Sequence, residues 1–256
     1  MKLKLMSTKP IIRLRSILDT ATVLFWVLLF IGFQSNAQEL TLNNALSHKE
    51  NSIIKIASYT AQGDLENLKI ALHDGLDNKL TVNQIKEVLV HLYAYAGFPR
   101  SILGLQTFLE VLDDRKSKGI IDERGAEASP ITDTQDKYDR GKKILETLIG
   151  RSLDGPKPAY QEFSPEMDRF LKEHLFADIF ERDVLSHKQR ELVTISVIAS
   201  LGTLEPMLKS HLNLSLNVGW QPKQLREFTK VLDGTTTTKN AKAAKLVLQE
   251  VLHNRK

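Results

Sequence analysis

The residue of this sequence best suited to acid–base chemistry is His211. On a predicted helix it shares a stripe with Met207, Leu214 and Val218, at spacings of four, three and four residues. An imidazole gives and takes protons near neutral pH, which is what a general acid or base requires. The structural alternative is a histidine that is satisfied within the core, and the sequence alone leaves both interpretations open.

Three charged residues close to His211 in the sequence are further candidates. Arg190 carries a guanidinium, which binds a carboxylate through two parallel hydrogen bonds, so it is the candidate cation for a substrate carboxylate. The structural alternatives for Arg190 are a surface position or an ion pair with a carboxylate of the linker. Glu191 and Glu205 are candidate acid–base groups, although a carboxylate near a helix start also interacts favourably with the helix dipole.

The segments that carry these residues are repeated. Leu46-Ser47-His48-Lys49 returns as Leu185-Ser186-His187-Lys188, and residues 68–69 and 85–89 align with 208–209 and 225–227, at offsets of 139 and then 140. Such self-similarity predicts two copies of one helical unit that pack on each other. The alignment also isolates His211, because the first copy has Ala71 at that position. The unit therefore does not need this histidine in order to fold.

The local patterns predict an all-α fold. Ser47-x-x-Glu50 and Ser186-x-x-Gln189 are capping boxes that begin dense apolar helices, and Gly63 and Gly202 are suited to end them. Further helices are predicted over residues 65–76, 101–112, 140–149, 165–175, 205–218 and 240–252, and two more are predicted to begin at 81 and 222. Ser164 is the predicted N-cap of the helix over 165–175. Breaks are predicted at 97–99 and 233–238. No sustained alternation of apolar and polar residues, as in a strand, occurs.

The first forty residues have the pattern of a targeting signal. Five basic residues precede the 13-residue apolar run 21–33, and Ser35-Asn36-Ala37 places small residues at positions −3 and −1 of a cleavage site. The run is short for a bilayer span of about 20 residues. This favours a cleaved export signal over residues 1–37 above the alternative of an uncleaved N-terminal anchor. We expect a periplasmic or secreted protein with no stable membrane anchor after cleavage.

Charge and cysteine usage exclude several functions. Removing residues 1–37 removes five positive charges and Asp19, which accounts for the whole net charge of +4. The remaining chain is formally neutral, so nucleic-acid binding loses its main support. The sequence has no cysteine, which excludes thiol redox chemistry and Cys-ligated metals. No His-Glu-x-x-His motif, Walker loop or glycine-rich dinucleotide fingerprint occurs, so we expect neither a metal nor a cofactor.

The second copy contains an ordered series of residues: Arg190-Glu191-Leu192, Ile195, Ala199, Gly202, Glu205, His211, Gly219 and 225–227. This series resembles the carboxymuconolactone decarboxylase family, which includes the AhpD-like alkylhydroperoxidases. The stretch 94–99 in the first copy is similar to that family's helix-break signature, and residues 140–141 and 178–185 fit its lead-in. The resemblance covers about residues 44–112 and 140–232. It implies an all-helical, AhpD-like fold that forms homo-oligomers, typically trimers or hexamers.

Two departures from the family pattern limit this inference. The alkylhydroperoxidase branch uses a Cys-x-x-Cys pair just before the motif histidine, where this chain has Leu204, Glu205, Met207 and Leu208. The cysteine-dependent peroxidase activity of the family is therefore not expected. The second copy also lacks the Gly-Phe-Pro break of the first, so its pocket wall differs.

The chain therefore divides into the export signal 1–37, a first repeat 44–112, a polar linker 113–139 and a second repeat 140–256. Our first hypothesis is a lyase of the carboxymuconolactone decarboxylase type, which decarboxylates or transfers a proton on a small organic acid or lactone without a cofactor. The alternative is a non-catalytic, oligomeric binding or scaffold protein of the same fold. Tyr93, Tyr95 and Phe98 either line a pocket or belong to the core.

Overall fold

The computed structural model describes residues 46–255. Over these residues the chain forms eleven α-helices and one π-helix, with no β-strand, which confirms the all-α class. The residues from Leu46 onward form one compact unit. In this part of the chain, no helix combines the length and the apolar character that crossing a membrane requires. The export signal predicted over 1–37 lies outside the described residues.

The first copy consists of four helices: α1 (His48–Gln62), α2 (Leu65–Asp77), α3 (Val82–His91) and α4 (Tyr93–Ser117). The predicted capping box at Ser47 is present, and Thr81 forms a second one at the start of α3, since each hydroxyl accepts a hydrogen bond from the backbone three residues later. Gly63 ends α1 with a left-handed conformation, as predicted. The predicted break in α4 is also confirmed, because Gly97 has φ 80° and ψ 161°.

The second copy has the same order of helices: α8 (His187–Leu201), α9 (Glu205–Asn217), α10 (Pro222–Leu232) and α11 (Thr238–Asn254). Ser186 begins α8 with the predicted capping box. Gly202 ends α8, also as predicted, but with φ 71° and ψ 171° rather than the left-handed helical conformation.

The segment that leads into the second copy contains α5 (Lys137–Ile149), α6 (Ala159–Phe163), α7 (Pro165–Arg169) and the helix π1 (Phe170–Phe180). The single helix predicted over 165–175 is thus wrong, because the chain widens into a π-helix after one short α-helix. Ser164 precedes α7, but its hydroxyl donates to the Glu166 carboxylate rather than capping the backbone. Gly141 allows α5 to lie against π1, because a Cβ there would overlap the carbonyl oxygen of Lys172.

The polar segment between the copies is attached to the fold. The α4 helix continues to Ser117, and the coil that follows accepts backbone hydrogen bonds from Val82 and Asn83 at 2.9 Å. These bonds satisfy N–H groups in the first turn of α3, which have no partner inside their own helix. The buried Arg115 fastens the coil, because its guanidinium binds both Asp77 and Asp122.

The two copies share one apolar core. Its centre is the contact of α1 with α8, and every residue of α8 from Arg190 to Ser200 is buried. The third helix of each copy packs on the first helix of the other, so α3 lies against α8 and α10 lies against α1. Any polar residue on these two contacts must therefore find its partner within the protein.

Candidate functional site

The imidazole of His211 binds a buried carboxylate of the neighbouring helix. Nδ1 of His211, on α9, lies 2.9 Å from Oε2 of Glu191, on α8. The carboxylate is fully buried, whereas the imidazole is 15% exposed and can be reached from solvent. Two of the four predicted site residues are therefore in direct contact. The helix-dipole role considered for Glu191 is wrong, because the carboxylate is directed to His211.

This contact defines which nitrogen of His211 can react. An ionised carboxylate accepts hydrogen bonds and cannot donate them, so in the contact with Glu191 it is Nδ1 of His211 that carries the hydrogen. The other nitrogen, Nε2, has no hydrogen-bond partner among the described residues. The second carboxylate oxygen of Glu191, Oε1, is also buried without a partner in this part of the chain. The arrangement fixes the ring through one imidazole nitrogen and leaves the other for proton exchange.

The first copy contributes an aromatic ring to this site. Tyr95, two residues before the break at Gly97, meets His211 edge to face, with ring centroids 5.6 Å apart and an interplanar angle of 85°. Its hydroxyl is buried and has no hydrogen-bond partner within residues 46–255. Burial raises the pKa of the Tyr95 phenol and the charge of Glu191 acts in the same direction, against smaller effects of the Thr194 hydroxyl and the Arg190 charge. Tyr95 packs against the apolar core and also contacts His211, so both alternatives for its role, pocket lining and core, stay open.

Arg190 forms a buried ion pair instead of facing His211. Its side chain is fully buried, and Nη2 lies 2.7 Å from Oε1 of Glu87 on α3 and 2.5 Å from the carbonyl oxygen of Arg182. Arg182 binds the same carboxylate at 2.9 Å. Both structural alternatives for Arg190 are thus wrong, since it is neither exposed nor paired with the linker. Its predicted role as the cation for a substrate has no support here, because Glu87 already occupies the guanidinium.

The charges of this ion pair explain the pKa of Glu87. Burial alone would raise the pKa of the carboxyl group, but hydrogen bonds from Arg182 and Arg190 outweigh burial and lower it. The carboxylate therefore stays ionised and holds α3 of the first copy on α8 of the second.

His91 extends the same buried network towards the site. Its Nδ1 accepts a hydrogen bond from Nη1 of Arg190 at 3.3 Å, so its Nε2 carries the hydrogen and donates to Oγ1 of Thr194 at 2.9 Å. Burial lowers the pKa of His91 well below its usual range, and the charge of Arg190 adds to this effect. Sequence reasoning missed His91. The comparison of copies could have found it, because the corresponding residue at an offset of 140 is Val231.

The fourth predicted residue, Glu205, is not part of this cluster. It is the first residue of α9 and is exposed, at the helix terminus where a carboxylate interacts well with the helix dipole. Tyr93 and Phe98 also lie apart from His211. Their rings stack on each other at 4.5 Å, and Phe98 is largely exposed.

A second charged cluster lies on α7 and π1. The buried Asp168 accepts hydrogen bonds from Tyr138 and Lys157, each at 2.8 Å, and from Lys172. Burial opposes ionisation, but these donors together lower the pKa of Asp168 to about 2. A surface cavity of about 330 Å³ lies beside Asp168, and none of the predicted site residues lines it. Within residues 46–255, no group of three or more His, Asp or Glu side chains is placed to hold a metal ion.

Comparison with known proteins identifies one family. The model described as "Carboxymuconolactone decarboxylase family" matches the chain twice, over residues 29–108 and 165–250. The two matches confirm the tandem duplication, although each begins at a different residue from the repeats predicted over 44–112 and 140–256. No curated protein matches the chain.

Proposed function

We propose that this chain, which belongs to the carboxymuconolactone decarboxylase family, is an enzyme that transfers a proton on a small organic acid or lactone without a cofactor. The observation that carries the proposal is the hydrogen bond of 2.9 Å between His211 Nδ1 and Glu191 Oε2. A histidine held by a buried carboxylate at one nitrogen and open at the other is equipped to act as a general base and then as a general acid.

The proposed reaction starts at a C–H bond next to a carbonyl group. Nε2 of His211 takes the proton, the electron pair of the C–H bond forms a carbon–carbon double bond, and the π pair of the carbonyl group moves onto its oxygen, while the hydrogen bond to Glu191 keeps the His211 ring in place. The imidazolium then returns the proton to carbon. In a decarboxylation the same nitrogen would protonate the carbon that CO₂ leaves. Between these two reactions we favour proton transfer, because Glu87 occupies the guanidinium of Arg190 that would otherwise bind a substrate carboxylate.

Location and assembly are further parts of the proposal. The basic residues, apolar run and small residues over 1–37 support export to the periplasm or beyond. Exposed apolar side chains on α4 support assembly into a homo-oligomer, because Phe98, Ile102 and Leu109 are 64%, 49% and 62% exposed.

The test is deuterium exchange into a β,γ-unsaturated γ-lactone, followed by NMR in D₂O. The purified protein should exchange the acidic C–H positions faster than buffer, and His211→Gln should slow the exchange by about 10²- to 10⁴-fold. His73→Gln is the matched control, because His73 on α2 of the first copy lies 3.8 Å from Asp114 instead of binding Glu191. Melting temperatures should be similar for all three proteins. Exchange by the wild type no faster than buffer, or undiminished exchange by His211→Gln, would refute the proposal.

The alternative is a non-catalytic, oligomeric binding or scaffold protein with the same fold. The buried pairing of Arg190 with Glu87 favours it, because this cation serves the contact between the copies. In that case the wild type would show no exchange, while a small carboxylate such as levulinate would still shift the NMR signals of the His211 ring.

A further inference from the structure

We infer that Tyr95 of the first copy binds the substrate of the second-copy site, by donating its hydroxyl hydrogen to the oxygen that becomes negative when His211 removes a proton. This inference rests on the proposed function and goes beyond it, because it names the group that stabilises the developing charge. Proton transfer next to a carbonyl needs such a donor, since the electron pair left by the proton moves onto the carbonyl oxygen.

The first argument is the position of the ring. Tyr95 meets His211 edge to face at 5.6 Å, and its ring centroid is also 5.6 Å from that of His91. His91 is itself fixed by hydrogen bonds to Arg190 and Thr194. The phenol ring is therefore in contact with an immobilised imidazole and with the imidazole that exchanges protons.

The second argument is the unsatisfied hydroxyl. A buried hydroxyl without a hydrogen-bond partner costs free energy, and an oxygen atom of a bound ligand that accepted its hydrogen would remove that cost. Among the described residues, the hydroxyl of Tyr95 and the carboxylate oxygen Oε1 of Glu191 are both buried without a hydrogen-bond partner. Because burial raises the pKa of Tyr95, the phenol remains protonated at neutral pH and acts as a donor.

The third argument comes from the corresponding position of the second copy. At an offset of 140, Tyr95 corresponds to Thr235, whose hydroxyl donates to the carbonyl oxygen of Val231 at 3.2 Å. The second copy therefore has a small, locally satisfied side chain at this position, which lies in the turn before α11. Only the first copy places a phenol there, and its ring lies against His211.

The probe for this inference is 4-nitrophenol, whose phenolate has the planar, negatively charged oxygen of an enolate and a visible absorbance. The full-length protein should bind the phenolate, and Tyr95→Phe should weaken binding by about 10- to 150-fold, the loss expected for a hydrogen bond to a charged oxygen. Tyr93→Phe is the matched control. Its hydroxyl is also buried without a partner in residues 46–255, but its ring stacks on Phe98 rather than on His211.

Stability and exchange measurements separate the two proposals. Tyr95→Phe should keep the melting temperature of the wild type, because the Tyr95 hydroxyl forms no hydrogen bond with residues 46–255 that the substitution would remove. Unchanged phenolate binding by Tyr95→Phe, equal weakening by Tyr93→Phe, or no binding by the wild type would each overturn the role of Tyr95. If the wild type binds the phenolate through Tyr95 but does not exchange deuterium, the binding role of Tyr95 stands and the proposed proton transfer is refuted.

Discussion

The two copies of the helical unit share their order of helices and differ in the polar residues that those helices carry. The second copy has Arg190, Glu191 and His211 where the first has Asn51, Ser52 and Ala71, and the first has His91 and Tyr95 where the second has Val231 and Thr235. Because each set of helices forms with either residue type, the order of helices does not require these polar residues. The difference indicates that they serve what the first and second copies do not share, which is the buried ion pair between the copies and the pairing of Glu191 with His211.

Two contacts between the copies are related by the approximate symmetry of the duplicated unit, and only one of them contains a buried ion pair between the copies. Where α3 meets α8, Glu87 binds Arg190 inside the core. Where α10 meets α1, the corresponding Glu227 pairs with Lys230 at the surface, and Asn51 donates to the carbonyl oxygen of Ser47 in its own helix. A duplicated unit thus carries one asymmetric site, assembled from both copies.

The largest stability difference between the copies should follow loss of Arg190. Arg190→Met leaves the buried carboxylate of Glu87 with Arg182 alone, and we expect a loss of about 3 kcal/mol in the free energy of unfolding. Asn51→Leu, at the corresponding position, should cost about 1 kcal/mol or less. Urea unfolding of both variants measures the difference. Equal losses of free energy of unfolding at the two positions would contradict the proposed difference between the copies.

The pH dependence of stability should also separate the copies. The pKa of His91 is lower in the folded protein than in the unfolded chain, so the unfolded state binds a proton that the folded state does not. The free energy of unfolding should therefore decrease as the pH falls below about 6.5, by up to about 1.4 kcal/mol per pH unit. His91→Gln should remove this contribution, which is measured by urea unfolding between pH 7 and 5. Val231→Ala, at the corresponding position, should retain the wild-type slope, and a slope unaffected by His91→Gln would contradict the assignment.

The smallest predicted difference concerns the glycines that end α1 and α8. A Cβ at Gly63 would meet the end of the flexible Arg100 side chain, whereas a Cβ at Gly202 would overlap the amide of Asn240, which is held by a hydrogen bond to the carbonyl oxygen of Ser200. Both glycines have positive φ, so both alanine variants should be destabilised. We expect Gly202→Ala to lower the free energy of unfolding by about 1 kcal/mol more than Gly63→Ala. Thermal unfolding tests this, and a greater loss at Gly63 would show that Asn240 can move.

Much of the fold could be predicted because its signals are local. The capping boxes at Ser47 and Ser186 depend on residues three apart, and the glycines that end α1 and α8 depend on their own φ angles. The π-helix was not predicted, because no capping or periodicity signal distinguishes it from an α-helix, and its close contact with Gly141 is made by residues about 30 positions apart.

The candidate site could likewise be predicted only in part. His211 was found because the first copy has Ala71 in its place, and Glu191 was a candidate by type alone. Their contact, across 20 residues, depends on how α8 and α9 pack. The pairing of Glu87 with Arg190 spans 103 residues, so no local pattern indicated that Arg190 would be buried and neutralised.

The sequence by itself determined the all-helical class and the duplication, and it singled out His211 as the candidate imidazole, because periodicity and capping depend on residues close together in the chain and the copies can be compared by alignment. Only the tertiary structure decided which charges neutralise one another and which remain available. The pairing depends on burial, since a guanidinium that is removed from water must bind a carboxylate. For Arg190 that carboxylate is Glu87 of the other copy. The same packing brings the phenol of Tyr95 to the ring of His211.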